Sequence, residues 1–353
     1  MRDIYYHTSY AHDVFASDYI NGHNEYLILL RQRLRACGYN LRANDNSPIK
    51  DCEWVFFDDS MSVQPYKGLL GCARKIRSQV LGRPLVRSVY QECLHAGIAD
   101  KMVLILNEGP AVSSENWKEA LHKEFRIILT WNDEYVDNRK FFKIFVPSTT
   151  RTPVVPMVPF ERKKLLVNIS ANKRSRHPRE LYSKRVNSIK YFEKNYPKEF
   201  YLYGIGWDRP RNLLQRFIPK TMREYESYRG EIKRKEEVLP FFRFSLCYEN
   251  VDGVPGYITE KIFDSMRCNC VPIYWGASNI SEYVDPRAYV DRRDFKNDGE
   301  LATYISQMKP SEYDGYLSAI LSFLASDKFS RFLGTNYVDT VFRVLGIEAV
   351  GSR

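Results

Sequence analysis

The hydrophobic residues of this chain fall into short apolar runs and longer stretches with a single apolar face. Glu25 to Cys37 has Tyr26, Leu30 and Leu34 on one face and is followed by Gly38, which predicts a helix. Strands that alternate with helices are typical of a mainly parallel, doubly wound sheet. In the first 150 residues the short runs predict five strands, at Ile4–His7, Trp54–Phe57, Val103–Asn107, Ile127–Trp131 and Phe141–Val146.

The same alternation restarts after a proline-rich segment. Prolines fix φ and remove N–H donors, so the four between Pro147 and Pro159 predict an interdomain linker over residues 151–162. Beyond it, strands are predicted at Leu165–Ile169, Phe200–Tyr203, Phe244–Tyr248, Val271–Trp275 and Ala288–Val290, and helices at Arg179–Asn195, Thr259–Met266, Leu301–Met308, Tyr313–Ser326 and Tyr337–Leu345.

These elements predict an α/β fold of two Rossmann-like, doubly wound domains that face a cleft. We expect the first domain over residues 1–150 and the second over 163–335, with a C-terminal helix within 336–353 that packs back on the first domain. In such sheets ligands bind at the carboxyl ends of the strands.

The composition agrees with two buried cores, since 44% of the 353 residues are hydrophobic. No apolar run approaches the roughly 20 residues of a membrane-spanning helix, and no apolar segment follows Met1. The seven cysteines are odd in number and scattered, which favours a reduced, cytoplasmic protein, with peripheral contact to the inner membrane left open.

Positive charge is concentrated in one part of the chain. Between Glu161 and Glu236 there are 21 Lys and Arg against 9 Asp and Glu, whereas the whole chain carries a net charge of +10. Such a field suits phosphates, an anionic membrane surface or nucleic acid, although a solvated charged face is the ordinary alternative. No nucleic-acid-binding module is recognisable, and acidic residues interrupt the run.

The most specific segment is a strand, a Gly/Pro loop, a helix start and a second strand. The strand ends in Tyr248 and Asn250, and the helix begins after Tyr257 with Glu260 and Lys261. Free backbone N–H groups at a helix start, together with a lysine, bind anions, and a carboxylate suits ribose hydroxyls. Taken singly, these residues are ordinary helix caps and packing residues. Gly276, which follows the second strand, is by itself an ordinary turn residue.

In their order and spacing, these residues resemble the α1,3/1,4-fucosyltransferases, glycosyltransferase family 10, in bacterial form. The family pattern Phe-x-Leu-x-Phe-Glu-Asn matches Phe244 to Asn250, with Tyr248 in place of the commoner Phe. Tyr-[Ile/Val]-Thr-Glu-Lys matches Tyr257 to Lys261, and Val-Pro-[Ile/Val]-x-x-Gly matches Val271 to Gly276. The heptad repeats and basic amphipathic tail of many bacterial members are missing from this chain.

The resemblance implies the two-domain GT-B glycosyltransferase fold with the donor in the second domain. It also implies GDP-fucose as donor, a glycan acceptor and inversion at the anomeric carbon. An arginine on the first helix of the second domain binds the diphosphate in the family, and Arg185 is the best match. It lies on the apolar face of its helix, where a charge needs a partner, so a buried salt bridge or a snorkelling stem is the alternative. Five further residues match donor-contacting positions: Tyr248, Asn250, Tyr257, Glu260 and Lys261.

The family also places a catalytic glutamate in the first domain, which takes the proton of the acceptor hydroxyl. Glu108 matches, since it follows a predicted strand and precedes Gly109-Pro110, although a solvent-exposed loop glutamate is the alternative. Asp58 and Asp59 also follow a strand and are the reserve candidates. The chain has no Asp-x-Asp pair, so we expect no metal cofactor. No sequence motif identifies the acceptor, and the resemblance implies a bacterial surface polysaccharide. For the donor, another nucleotide sugar is the alternative to GDP-fucose.

Overall fold

The computed structural model describes residues 1–9, 13–16, 24–63, 72–73, 76–77, 79–81, 87–149, 153–210, 217 and 224–348. The chain divides into two compact units. The first unit comprises Met1–Thr149 and Leu333–Arg353, and the second comprises Thr150–Phe332. The chain therefore leaves the first unit once and returns to it, at positions close to residues 150 and 335, where the sequence suggested domain limits.

The first unit is built on a six-stranded parallel sheet with the strand order β2-β1-β3-β4-β5-β6. All five residues of β4 are buried, as expected of a parallel strand covered on both faces. The strands are β1 Arg2–His7, β2 Tyr39–Ala43, β3 Trp54–Asp58, β4 Met102–Leu106, β5 Ile127–Thr130 and β6 Phe141–Lys143; the helices are α1 Glu25–Ala36, α2 Asp59–Val63, α3 Val89–His95 and α4 Glu119–His122.

The second unit contains a five-stranded parallel sheet with the order β11-β10-β9-β7-β8. Its strands are β7 Lys164–Ile169, β8 Phe200–Tyr203, β9 Phe242–Tyr248, β10 Val271–Trp275 and β11 Val290–Asp291. Its helices are α5 Tyr182–Asn195, α6 Glu260–Arg267, α7 Ile280–Tyr283, α8 Asp298–Gln307, α9 Pro310–Leu324 and α10 Asp327–Ser330.

The strand order of the second sheet identifies one edge position for a ligand. The chain runs outward from β7 to β8 and then crosses back to β9, which pairs with β7 on the other side. The order reverses between β7 and β9, and the carboxyl ends of two strands at such a switch point form a natural crevice. Helix α5 follows β7, and the Gly/Pro loop follows β9.

A last helix, α11 at Gly334–Leu345, belongs to the first unit. The rings of Tyr26 on α1 and Tyr337 lie 4.7 Å apart, and Arg33 pairs with Asp339 at 2.5 Å. Gly346 ends the helix with a φ of +66°, the left-handed conformation that glycine adopts at helix ends. Among the helices within the described ranges, none is long and apolar enough to cross a bilayer.

Candidate functional site

A buried carboxylate organises the carboxyl end of β9. Glu249 directly follows that strand and has no exposed surface. Its carboxylate accepts hydrogen bonds from the backbone N–H of Thr259 at 2.9 Å, from the Thr259 hydroxyl at 2.9 Å and from Lys261 Nζ at 2.8 Å. Thr259 precedes the first residue of α6 and makes no capping bond with its own side chain. Glu249 therefore supplies the acceptor that a helix start requires.

Lys261 is held at two points. Its ammonium group donates to Glu249 and, at 2.9 Å, to the Thr259 hydroxyl, while a quarter of the side chain stays exposed. Burial lowers the pKa of Lys261, whereas the nearby carboxylates of Glu249 and Glu260 raise it. The effect of the carboxylates is the larger, so the net shift of the pKa is upward. Lys261 is therefore a firmly charged cation at the start of α6.

Arg185 on α5 brings a second cation to the same strand end. Its side chain is buried, and one guanidinium nitrogen donates to the backbone carbonyls of Tyr248 at 2.5 Å and Glu249 at 3.2 Å. Burial lowers the pKa of Arg185, and its charge opposes the upward shift of the Lys261 pKa. The protein partners of the buried guanidinium are therefore strand-end carbonyls, rather than the salt bridge that was one alternative, and its contact with a diphosphate stays a prediction.

The remaining predicted donor residues occupy different positions around this strand end. Asn250 donates to the hydroxyl of Tyr257 at 3.3 Å, and Tyr257 is almost fully buried. Glu260 is half-buried as the first residue of α6. Tyr248 has no exposed surface, its hydroxyl contacts Ser188 on α5 at 3.1 Å, and burial raises its pKa to about 12. Its carbonyl, rather than its hydroxyl, is the part of Tyr248 that touches Arg185.

Gly276, which follows β10, has a steric role that the sequence did not reveal. A Cβ atom at this position would lie 2.5 Å from Cγ of Glu249 and 2.6 Å from the Tyr274 hydroxyl. The backbone N–H of Glu249 also donates to the carbonyl of Trp275 at 2.7 Å. Glycine is therefore required because the Glu249 side chain passes directly over it, and the first and last parts of the sequence motif are in contact.

In the first unit, Glu108 lies just beyond β4, in a backbone segment fixed by Asp59. The backbone N–H groups of Asn107 and Glu108 donate to Oδ1 of Asp59 at 2.9 and 3.1 Å, and Asn116 Nδ2 donates to the same oxygen at 2.5 Å. The carbonyl of Glu108 accepts from Asn116 and from Trp117, both at 3.2 Å. Glu108 is half-buried, in contrast to the solvent-exposed loop position that was its alternative.

Asp58 and Asp59, the reserve candidates, are buried. Asp58 accepts from Asn107 Nδ2 at 2.6 Å and from the Thr8 hydroxyl at 3.0 Å. Burial raises the pKa of both aspartates, and the charges of the neighbouring carboxylates, Glu108 included, raise them further. Asp59 has a φ of +61°, a left-handed conformation that is uncommon for residues other than glycine. Of these three carboxyl groups, Glu108 is the most exposed.

The structure thus brings Arg185, Asn250, Tyr257 and Lys261 together and keeps Glu108 with the two aspartates in the other unit. Glu249 was missed as a site residue, although a carboxylate that directly follows an apolar strand is a readable signal. The donor contacts and the catalytic role of Glu108 stay predictions. Within the ranges that the structure describes, no group of three or more His, Cys, Asp or Glu side chains is arranged to hold a metal ion.

Residues 161–319 match the family model for the C-terminal domain of glycosyltransferase family 10, the fucosyltransferases. This part of the chain belongs to family 10. The matched residues include Arg185, Glu249 and the whole Tyr257 to Lys261 segment, so the family predicted from the sequence motif is confirmed.

Among similar proteins, the alpha-(1,3)-fucosyltransferase FucT of Helicobacter pylori is 40% identical over 77 residues. That alignment covers 22% of this chain and 16% of the Helicobacter pylori protein, so the shared part is a limited segment of a longer relative.

Two solved structures show the fold of the whole chain. An alpha1,3-fucosyltransferase with GDP-fucose has a TM-score of 0.53 at 16% identity and covers 99% of this chain and 91% of its own. The Anabaena protein HepE in complex with UDP-glucose has a TM-score of 0.52 at 12% identity and covers 98% and 100%. Together with the two parallel sheets, these likenesses confirm the predicted α/β fold class.

Proposed function

We propose that this protein is an inverting glycosyltransferase that transfers L-fucose from GDP-fucose to a hydroxyl group of a glycan acceptor. The family 10 domain and the shared segment with a fucosyltransferase of Helicobacter pylori support this activity. The observation that carries it is the pair of cations, Arg185 and Lys261, at the carboxyl end of β9 beside the start of α6.

In this proposal, the second unit binds the donor. Arg185 and Lys261 offset the charge of the diphosphate, and the backbone N–H groups at the start of α6 contribute further donors. Asn250 and Tyr257 contact the donor beside them, and Glu260 binds the ribose hydroxyls. Two fixed cations stabilise the negative charge that develops on GDP as it leaves, so the reaction needs no metal ion.

Glu108 of the first unit acts as the general base. It accepts the proton of the acceptor hydroxyl while that oxygen bonds to the anomeric carbon of fucose and the bond from that carbon to the diphosphate breaks. In-line displacement of this kind inverts the configuration. The bonds from Asn107, Glu108 and Asn116 to Asp59 fix the backbone that carries the base.

The acceptor and the cellular location come from the resemblance alone. We propose O3 of N-acetylglucosamine, or a related sugar, in a bacterial surface polysaccharide such as lipopolysaccharide. The enzyme would act in the cytoplasm, and the positive charge between Glu161 and Glu236 would favour peripheral contact with the anionic inner membrane.

A different nucleotide sugar is the second candidate donor. HepE, in complex with UDP-glucose, has nearly the same structural similarity to this chain as the fucosyltransferase. The fold alone therefore does not distinguish a guanine nucleotide from a uracil nucleotide. A nucleic-acid-binding protein is disfavoured because the family 10 domain contains the entire basic segment.

The decisive experiment compares nucleotides by thermal unfolding. A ligand that binds only the folded state raises the melting temperature, and a guanine pocket leaves buried polar groups unpaired when it meets uracil. We expect GDP to stabilise the protein at concentrations at which UDP has little effect. Incubation of GDP-fucose with a glycan panel, followed by mass analysis, should then reveal a fucosylated product. A larger shift with UDP would refute fucose transfer and leave the other nucleotide sugar.

A further inference from the structure

Glu249 combines two properties that are costly together: it is a carboxylate, and it has no exposed surface. A buried charge is tolerated only when it is paired and hydrogen-bonded. Within the described ranges, every side-chain hydrogen bond of Glu249 goes to one short segment, to Thr259 and Lys261. A buried carboxylate that serves only stability is often replaceable by apolar packing, so its placement under a cation of the proposed site calls for a functional account.

The bonds of Lys261 supply that account. An ammonium group has three N–H donors, and a free lysine side chain samples many rotamers. Within the described chain, two of these donors are directed to Glu249 at 2.8 Å and to the Thr259 hydroxyl at 2.9 Å. The third is left for a ligand, on a side chain that remains one-quarter exposed. Two fixed bonds determine where that third N–H lies.

We infer that Glu249 is a positioning residue for the donor: it holds Lys261 in the conformation that binds the diphosphate. The inference rests on the proposed donor site. It assigns to Glu249 no contact with the substrate, since the side chain is buried, and it makes Gly276 the residue that leaves room for the carboxylate.

A rival role for Glu249 predicts an effect of the opposite sign. If the carboxylate only offsets the charge of Lys261, its removal leaves more net positive charge at the site and GDP binds more tightly. If it positions Lys261, its removal releases a flexible side chain, and GDP binds more weakly because the ordering of that side chain then opposes binding. One substitution, Glu249→Gln, separates these two roles.

The test measures GDP and guanosine binding by calorimetry in four proteins: the parent, Glu249→Gln, Lys261→Met and the double variant. We expect Glu249→Gln to weaken GDP binding about tenfold, a loss within the range of coupled neighbouring residues. Guanosine, which has no phosphate, should bind all four proteins equally. In the Lys261→Met background, Glu249→Gln should cause no further loss, because the residue through which it acts is already missing.

Three outcomes would overturn the inference: tighter GDP binding by Glu249→Gln, equal losses in both backgrounds, or a matching loss of guanosine binding, which would indicate a collapsed pocket. If the parent protein binds GDP no more tightly than guanosine, the proposed donor site is refuted instead. The two failures are therefore distinguishable.

Gly276→Ala provides a second route that changes no charge and keeps the inference testable if Glu249→Gln folds poorly. The new Cβ would lie 2.5 Å from Cγ of Glu249 and would displace the carboxylate. We expect the same selective loss of GDP binding. Gly315→Ala is the matched control, because Gly315 lies within α9 and a Cβ there meets nothing within 4 Å. An unchanged GDP affinity in Gly276→Ala would contradict the positioning role.

Discussion

Asp59 in the first unit and Glu249 in the second are both buried carboxylates directly after a strand, and both order a segment that carries a proposed functional residue. They differ in how their charge is compensated. Among the described residues, the Asp59 carboxylate accepts only from neutral donors, two backbone N–H groups and the Asn116 amide, and Asp58 lies beside it. Glu249 is paired with a cation, Lys261, at 2.8 Å.

This difference separates the chemistry of the two units. In the first unit, burial and like charges raise the pKa of Asp58 and Asp59 and favour their protonated forms, as suits the proposed acceptance of a proton nearby. In the second, the buried carboxylate is balanced by a lysine and accompanied by a second cation, Arg185, as suits the binding of an anion. Four measurements test whether the contrast holds, in decreasing order of expected effect.

The largest effect is expected at Glu108. Replacement by Gln removes the proposed proton acceptor but keeps the size of the side chain, so kcat should fall by about 10² to 10⁴. GDP affinity and the melting temperature should stay near those of the parent, since the proposed donor-binding residues belong to the second unit. Steady-state kinetics with saturating GDP-fucose measure this directly. Near-normal turnover would move the role of base to Asp58 or Asp59, or to the acceptor itself.

The next effect is expected at Arg185. Arg185→Met should weaken GDP binding by roughly 1.5–3 kcal/mol, the value of one charge-assisted hydrogen bond. It should also lower the melting temperature, because the carbonyls of Tyr248 and Glu249 lose a donor. Arg287→Met is the control, since Arg287 is largely exposed and pairs with the neighbouring Asp285. Parent-like GDP affinity in Arg185→Met would show that the phosphates bind elsewhere.

Much of this contrast was predictable from the sequence, because local patterns encode it. The parallel strands, the strand-end position of Glu108 and the helix start at Lys261 all follow from short apolar runs and their neighbours. Strand β2 was missed because its five residues, Tyr39–Ala43, include Asn40 and Arg42 and lack a continuous apolar run. Predicted strand Phe141–Val146 is shorter in the structure and ends at Lys143.

The partners of the charged residues could not be predicted, since they depend on contacts between distant parts of the chain. Arg185 meets carbonyls 63 and 64 residues away, which no periodicity reveals. Gly276 was interpreted as a turn residue, whereas the structure requires a glycine there because a side chain would clash with Glu249. Asp59 likewise holds the backbone of Glu108 only because β3 pairs with β4, which brings the two residues together.

A smaller effect, visible in the pH dependence of stability, is expected at Asp59. Its pKa is raised in the folded state, so between the unfolded and folded pKa values the native protein binds more protons than the unfolded chain. Stability therefore falls as the pH rises through that window. Asn cannot ionise, keeps the Oδ1 acceptor and tolerates a positive φ. Asp59→Asn should thus be more stable than the parent at neutral pH, by roughly 1–3 kcal/mol.

Chemical denaturation between pH 4 and pH 8 measures this difference, which should shrink toward the acidic end. Asp137→Asn is a control of opposite sign. Backbone N–H groups of Arg139, Phe141 and Lys140 lower the pKa of Asp137, so its contribution to stability is present above the unfolded pKa and is lost as the pH falls. A stability gain that does not vary with pH in Asp59→Asn would contradict the uncompensated charge in the first unit.

The smallest effect is expected from a chelator. The chain has no Asp-x-Asp pair, and the proposed diphosphate charge is offset by Arg185, Lys261 and the start of α6. Turnover should therefore be the same with and without excess EDTA, measured after overnight dialysis against it to remove tightly bound ions. Added magnesium or manganese should not raise the rate. A complete loss in EDTA that either ion restores would break the contrast between the units, because a cation from solution, rather than the cations of the second unit, would then hold the diphosphate. Lys261→Met sharpens the result: if a metal substituted for the lysine, added manganese would recover turnover in the variant, whereas we expect the variant to stay impaired at every manganese concentration.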